Sequence, residues 1–267
     1  MRVPRLRGRT FVVYYGYGPL QEIAGYDIAI LEPAGWRAED VQALGGQGVK
    51  RVAYLSALEA TRATLARVGV PRQQLLHVGG EPWFRAPFDT YVVDPRSRPW
   101  RAHVVAQARR LVAEGWDGVF LDSLGDVEDQ VVQDRAGWLL PAAADLVKEV
   151  RSAIGDRLIL QNNGIFLLLP LVAQLIDGIC WEGSFDADAT GGAWVRMILE
   201  QIAQVVREEG ITPMLLSEIG EDVDADRSLK TLRGMAERYG FLSYAAPCDY
   251  AQGIRALDGT RVAGRQG

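Results

Sequence analysis

One pattern occurs twice in the chain, as DGVFLD at residues 117–122 and as DGICWE at residues 177–182. Each copy begins with Asp-Gly, continues with three apolar residues and ends with an acidic residue. A short, continuous apolar run is typical of a parallel strand that is covered on both faces. Because the chain enters such a strand at the Asp-Gly turn and leaves it at the acid, the pattern predicts two parallel strands, each with a carboxylate at its C-terminal end.

Similar apolar runs alternate with longer stretches whose apolar residues are spaced as on one face of a helix. The strand candidates are residues 11–16, 26–31, 49–56, 91–94, 118–122, 158–162, 178–182, 213–217 and 241–245. Helical spacing is clearest at residues 101–114, 136–150, 194–206 and 228–239. We assign residues 91–94, the weakest strand candidate, to an insertion after the third strand that covers roughly residues 57–99. Eight strands then remain, each linked to the next by a connection long enough for a helix.

Eight β-α units in a chain of 267 residues favour a closed α/β barrel, because such barrels are typically about 250 residues long. We therefore predict an α/β fold, a (β/α)₈ TIM barrel that forms a single domain over residues 1–267. An open, doubly wound parallel sheet is the alternative that the pattern leaves. Residues 256–267 are polar and are predicted to form a tail.

Composition and charge narrow the classes of function. Hydrophobic residues make up 48% and charged residues 24%, as in a globular protein with a large core. The net charge of −5 and the pI near 5.2 argue against nucleic acid as a partner. No apolar segment suggests a membrane span or a signal peptide, so the sequence alone predicts a cytoplasmic protein. Two histidines are too few for a His-rich zinc site, and no metal or other cofactor is predicted.

Asp122 and Glu182 are the predicted catalytic residues. Barrel enzymes carry their chemistry at the C-terminal ends of the strands, and side chains from alternate strands share a layer there. The two acids end the fourth and sixth strands, so we expect them to face each other. Opposed carboxylates suit cleavage of a glycosidic bond: at about 5–5.5 Å one attacks the sugar directly, and at a wider separation it activates water. The alternative is that each acid caps the helix that follows it.

Polar and aromatic side chains end the neighbouring strands and are predicted to bind the substrate. They are Tyr15, Glu32, Tyr54, Ser56, Asn162, Asn163, Trp181 and Glu218. This set has few cations, which fits a polyol or an amino sugar better than a phosphate. The pair of asparagines precedes a glycine and could also be only a turn. Among the other tryptophans, Trp36, Trp83 and Trp100 are expected to stack on sugars, whereas Trp116, Trp138 and Trp194 are expected in the core.

Four segments together resemble the endo-α-1,4-polygalactosaminidase family, glycoside hydrolase family 114, and its TIM-barrel relatives. They are GWDGVFLD at 115–122, VAYLS at 52–56, LQNNG at 160–164 and WEG at 181–183, and the resemblance extends over about residues 14–244. It implies a metal-free barrel that cleaves α-1,4-linked galactosamine polymers. By the same resemblance Asp122 is the nucleophile, Glu182 is the general acid and then the base, and Tyr54, Glu32 and Asn162 line the amino-sugar subsite. Because relatives are typically exported, it also implies an extracellular or envelope location.

The leading hypothesis is therefore a glycoside hydrolase that acts on a polysaccharide or oligosaccharide with α-linked galactosamine units, by a two-carboxylate, retaining mechanism. Two other hypotheses stay open at this point. One is a barrel that binds carbohydrate without cleaving it. The other is a different carboxylate-based enzyme on the same barrel, either another α-glycosidase or a lyase.

Overall fold

Eight parallel strands form the centre of the computed structural model, which describes residue 6 and residues 10–129, 137–185, 192–219 and 225–254. The strands are β1 (Phe11–Tyr14), β2 (Ile28–Leu31), β3 (Lys50–Ser56), β4 (Gly118–Asp122), β5 (Leu158–Asn162), β6 (Gly178–Glu182), β7 (Thr212–Glu218) and β8 (Leu242–Ala246). Their order in the sheet is their order in the chain, and all seven neighbouring pairs are parallel.

The sheet closes on itself. The first and last strands lie side by side, and the rings of Phe11 in β1 and Tyr244 in β8 are 5.9 Å apart across the seam. A parallel sheet whose two edge strands meet, with helices between successive strands, is a (β/α)₈ barrel. The predicted fold class is therefore confirmed, and the open doubly wound sheet is excluded.

Helices in the described part of the chain surround the barrel. They are α1 (Leu20–Ile23), α2 (Ala38–Gly46), α3 (Arg62–Val68), α4 (Arg98–Ala113), α5 (Leu139–Ile154), α6 (Leu169–Val172), α7 (Gly192–Glu209) and α8 (Ala225–Tyr239). Each long helix buries one apolar stripe: α5, for example, buries Leu146, Val147 and Val150 and leaves Lys148 exposed. Among the described helices, none is long and apolar enough to cross a membrane.

The repeated Asp-Gly pair stabilises the N-terminal end of two strands. The Asp117 carboxylate accepts the backbone N–H of Arg51 at 2.9 Å, and the Asp177 carboxylate accepts that of Ile159, also at 2.9 Å. Each bond ties the start of a strand to its neighbour. A side chain on Gly118 would lie 2.1 Å from the carbonyl oxygen of Leu158, so only glycine fits there. The Asp-Gly pair at the start of each copy therefore stabilises the fold, whereas the acid at its end lies at the mouth of the barrel.

The connection between β3 and α4 carries most of the remaining secondary structure. Short strands at Glu59–Ala60, Thr90–Val92 and Phe84–Arg85 form a small antiparallel sheet. A hairpin pairs His77–Val78 with Glu81–Pro82. The strand candidate at residues 91–94 thus belongs to this small sheet and not to the barrel. The predicted tail at residues 256–267 lies outside the described residues.

Candidate active site

Asp122 and Glu182 are joined at the mouth of the barrel by one side chain. They end β4 and β6, and Asn162 ends β5 between them. The amide nitrogen of Asn162 donates to Asp122 Oδ1 at 2.9 Å and to Glu182 Oε2 at 2.7 Å. These two bonds limit the separation of the two acceptor oxygens to about 5.6 Å at most. Both carboxylates therefore bond to side chains across the mouth, which is unlike the backbone bonding of a helix cap.

Two tyrosines hold the other oxygen of each carboxylate. The hydroxyl of Tyr54, in β3, donates to Asp122 Oδ2 at 2.9 Å. The hydroxyl of Tyr250, in the turn after β8, donates to Glu182 Oε1. The ring of Tyr15 lies between these two tyrosines, 4.9 Å from that of Tyr54 and 5.3 Å from that of Tyr250. The three phenol rings thus form one wall around the pair of carboxylates.

The surroundings of Glu182 favour its protonated form. Burial, the largest effect, raises the pKa of its carboxyl group above the ordinary value, and the charge of Asp122 raises it further. The hydrogen bonds from Tyr250 and Asn162 act in the opposite direction, because they stabilise the carboxylate. Burial and the Asp122 charge also raise the pKa of the Tyr54 phenol, so that it remains a hydrogen-bond donor. The site can thus hold one proton on Glu182 beside the carboxyl group of Asp122.

Asn163 shapes the end of β6 from within a turn. It has a φ of 54°, and Gly164 follows it with a φ of 69°. Its side-chain oxygen accepts the backbone N–H of Glu182 at 3.1 Å, and its own N–H donates to the carbonyl of Cys180 at 2.9 Å. The two asparagines predicted together therefore differ: Asn162 contacts both carboxylates, whereas Asn163 forms the turn that fixes the backbone of Glu182.

Glu32 and Glu218 lie at the margin of the same cleft. Glu32, after β2, accepts the backbone N–H of Ala34 at 3.1 Å, and burial raises the pKa of its carboxyl group. Glu218, at the end of β7, is exposed and accepts the backbone N–H of Asp249 at 2.9 Å. The cleft is thus flanked by further carboxyl groups on both sides of the central pair.

The hydroxyl group of Ser56, predicted to bind substrate, forms hydrogen bonds within the protein. Its hydroxyl donates to the carbonyl of Glu59 at 2.8 Å and lies 3.2 Å from the hydroxyl of Ser123. Ser123 has a φ of 62°, and its hydroxyl also accepts the backbone N–H of Leu58 at 2.8 Å. This serine pair links the ends of β3 and β4 and so holds the backbone that carries Asp122.

The tryptophans differ from expectation at several positions, including Trp36, which is 9% exposed in the core. Trp100, expected near a sugar, is only 2% exposed in α4 and donates its indole N–H to the carbonyl of Ala57. Trp194, expected in the core, is 51% exposed in the first turn of α7 and lines the cleft. Trp181, predicted to bind substrate, is 5% exposed because the rings of Phe185 and Trp194 pack against it. Its side chain offers little free surface to a sugar.

Tyr250 was missed by the sequence reasoning. It follows β8 in a short turn, and its φ of 52° has no recognisable signal in the sequence. The backbone N–H of Tyr15 donates to the carbonyl of Tyr250 at 2.8 Å, which ties this turn to the end of β1. The closure of the barrel therefore brings the last described turn of the chain onto Glu182.

A second pair of carboxyl groups lies in the cleft and was also missed. Asp126, in the turn after β4, lies beside Glu59, which accepts a hydrogen bond from Thr90 and has Arg85 at 3.6 Å. Burial and then the charge of Glu59 raise the pKa of Asp126 to about 8. Glu59 follows β3 by three residues, and its contact with a turn that follows β4 depends on how the ends of these two strands are placed.

Comparisons with known proteins give structural relatives. No family model and no curated protein matches the chain. The structure is similar to the glycoside hydrolase domain of PelA from Pseudomonas aeruginosa, with a TM-score of 0.75 and 22% identity over 94% of this chain and 99% of that one. It is similar to Ega3 from Aspergillus fumigatus in complex with galactosamine, with a TM-score of 0.73 and 11% identity over 96% and 99% of the two chains.

A third solved structure is the α-galactosidase TtGalA from Thermus thermophilus, in complex with p-nitrophenyl α-D-galactopyranoside. Its TM-score is 0.60, with 13% identity over 93% of this chain and 60% of that one. Because the sequence identities are low, the similarity to these three structures establishes the barrel fold alone.

Proposed function

We propose that this protein is a retaining glycoside hydrolase that cleaves a polysaccharide with α-linked galactosamine-type units. The observation that carries the proposal is the amide of Asn162, which donates to one oxygen of Asp122 and one oxygen of Glu182 and so keeps these two oxygens within about 5.6 Å of each other. Retaining glycosidases hold their two carboxyl groups about 5–5.5 Å apart, whereas inverting enzymes need about 6.5–9.5 Å to admit a water molecule. The short separation supports direct attack by one carboxylate.

In the first step the Asp122 carboxylate attacks the anomeric carbon while the bond from that carbon to the glycosidic oxygen breaks. Glu182, whose carboxyl pKa is raised by burial, gives its proton to the leaving oxygen. The products are a glycosyl ester on Asp122 and a free chain end with a hydroxyl group. The bonds from Tyr54 and Asn162 fix the orientation of the Asp122 carboxylate for this attack.

In the second step water attacks the anomeric carbon of the ester from the side that the leaving chain has vacated. Glu182, now a carboxylate, takes one proton from the water, and the bond to Asp122 breaks. Asp122 returns as a carboxylate and Glu182 as an acid, so atoms and charges balance over the cycle. Two displacements at the same carbon retain its configuration.

The charge of the cleft supports an amino sugar as the substrate. Glu32, Glu59 and Glu218 line it in addition to the central pair. An amino sugar whose nitrogen is free carries a positive charge near neutral pH, and carboxylates that flank the cleft attract it. The likeness to Ega3 solved with galactosamine supports the same class.

The first test is release of reducing ends from de-N-acetylated α-1,4-polygalactosamine. We expect turnover by the wild type and a loss of at least about a thousandfold in Asp122→Asn and Glu182→Gln, because each substitution removes a group that reacts in the transition state. Asp145→Asn, an exposed acid on α5, is the matched control and should retain full activity. Proton NMR of the first product should show the α anomer.

Three outcomes would contradict this proposal. A folded wild type that releases nothing but still binds the polymer would favour the non-catalytic barrel. A product that absorbs in the ultraviolet would indicate a lyase. A β anomer as the first product would exclude the retaining mechanism, and the separation of the two carboxyl groups would then have to change when substrate binds.

A further inference from the structure

Trp194 is an unusual residue in the wall of the cleft. It is 51% exposed although it is the largest apolar side chain type, and it lies in the first turn of α7 beside the mouth of the barrel. A large aromatic ring gains favourable burial when an apolar surface covers it, so an exposed tryptophan in a cleft offers a ligand a surface on which to pack. None of the catalytic steps above uses it.

Trp194 is part of a group of three rings, which we call the aromatic platform and define as Phe166, Trp181 and Trp194. The ring of Phe166 is 6.2 Å from that of Trp194, with an angle of 38° between their planes. The ring of Trp181 packs on Trp194 edge to face at 5.9 Å. Trp181 directly precedes Glu182 in β6, and all three rings line the same cleft as the carboxylates. The platform is therefore continuous with the catalytic centre.

The backbone beneath the platform is held from two sides. The carboxylate of Glu128 accepts the backbone N–H groups of Phe166, Leu167 and Leu168 at 3.0, 2.8 and 2.7 Å. The side-chain amide of Gln201 donates to the carbonyls of Ile165 and Phe166 at 2.9 and 3.0 Å.

Gln201 lies on α7, two turns after Trp194, so its bonds also fix the helix against the Phe166 loop. A surface held in this way loses little conformational freedom when a ligand covers it.

We propose that the aromatic platform is a binding subsite for a second amino-sugar unit of the polymer, adjoining the unit that is cleaved. The apolar C–H face of the sugar ring covers the exposed indole, and the protonated amine is attracted to the π-face of Trp194. This inference rests on the proposed function for the identity of the sugar, and it deepens that function by placing a specificity-determining side chain outside the catalytic pair.

The kinetic test compares Trp194→Ala with Met197→Ala, a matched control because Met197 is 49% exposed on the same helix and is not part of the cleft wall. On the polymer, Trp194→Ala should raise KM roughly three- to tenfold with kcat unchanged, since a group that binds the ground state and the transition state equally affects KM alone. Trp194→Phe should restore most of the loss. On α-galactosaminyl fluoride, which has neither a second sugar nor an aromatic aglycone, the effect of Trp194→Ala on kcat/KM should be smaller than on the polymer, and Met197→Ala should match the wild type.

The binding test is independent of turnover. Calorimetric titration of a galactosamine oligomer into Asp122→Asn is compared with the same titration into the double variant Asp122→Asn, Trp194→Ala. Weaker binding by the double variant, together with weaker binding of the N-acetylated oligomer to the single variant, is the expected result. Equal affinities for the two proteins would overturn the platform.

The two proposals can fail separately. Turnover by the wild type with no change of KM in Trp194→Ala would remove the platform and leave the hydrolase. Absent turnover, with oligomer binding that depends on Trp194, would remove the hydrolase and leave the platform. If Trp194→Ala instead dissociates a dimer in sedimentation velocity and leaves KM unchanged, a second copy of the chain covers the ring, and the sugar subsite is wrong.

Discussion

The hydroxyl of Tyr250 opposes the effect of burial on Glu182. Its hydrogen bond stabilises the carboxylate and so lowers the pKa of Glu182, whereas burial and the Asp122 charge raise it. As a general acid Glu182 must be protonated, so kcat/KM falls when the pH rises above its pKa in the free enzyme. The strength of this hydrogen bond is therefore one of the factors that set where the alkaline side of the pH profile lies.

Tyr250→Phe removes that bond and should move the alkaline limb of kcat/KM to higher pH by roughly half to one unit, because a hydrogen bond contributes about 0.5–1.5 kcal/mol and one pKa unit corresponds to about 1.4 kcal/mol. The sign follows from the loss of a contact that favours the charged form. Tyr17→Phe, which changes an exposed tyrosine bonded to Asp40, is the control and should leave the profile unchanged. An alkaline limb that moves to lower pH would show that Tyr250 stabilises the acid and not the carboxylate.

At the scale of elements, the strands β4 and β6 show what a local pattern can predict. Their apolar residues are fully buried, and only the terminal acid of each is partly exposed. The six-residue pattern has the same contrast between apolar residues and a final acid. The strand, its direction and its accessible C-terminal end could therefore be predicted from the sequence. The position of Trp194 could not, because helical spacing gives the face of a helix but not which of its turns extends to the cleft.

The glycine of the repeated pair gives a sharp test of strand packing. Gly118→Ala would place a methyl group 2.1 Å from the carbonyl oxygen of Leu158, and backbone atoms cannot move aside cheaply. We expect a loss of about 1–3 kcal/mol or more in the free energy of unfolding, measured by urea titration.

Gly234→Ala is the matched control for this substitution. It lies in α8 with nothing within 4 Å of the added methyl, and it should stabilise the protein by about 0.5–1 kcal/mol. Equal effects of the two substitutions would contradict the packing explanation for the Asp-Gly pair.

At the scale of the whole molecule, closure of the barrel builds the site from distant parts of the chain. Tyr250 contacts Glu182 across 68 residues of sequence, and the same separation lies between Tyr54 and Asp122. The acids could be predicted because each follows its own strand, whereas Tyr250 lies in a turn whose path depends on the seam between β8 and β1. The pairing of Asp126 with Glu59 was not predicted for a similar reason, since their proximity depends on the neighbouring ends of β3 and β4.

The carboxyl pair of Asp126 and Glu59 should make the stability of the whole fold depend on pH. Burial and the charge of Glu59 raise the folded-state pKa of Asp126 to about 8, while Arg85 acts in the opposite direction and Asp122 adds to the rise. The unfolded chain has the ordinary value near 4. The folded state therefore binds a proton that the unfolded state has lost between these values, so the contribution to stability is complete below about pH 4 and is lost as the pH rises through about 8.

Asp126→Asn removes this linkage because the amide remains neutral throughout. Its melting temperature should fall less than that of the wild type between pH 5 and pH 9, and the two proteins should differ most at the alkaline end. The pKa values of Glu182 and Glu32 are also raised, so these two groups also make the folded state less stable as the pH rises. They remain in both proteins. Asp145→Asn should follow the wild type. Parallel curves for wild type and Asp126→Asn would mean that Asp126 is ionised in the folded protein at neutral pH, and the cleft would then carry one more negative charge toward a cationic sugar.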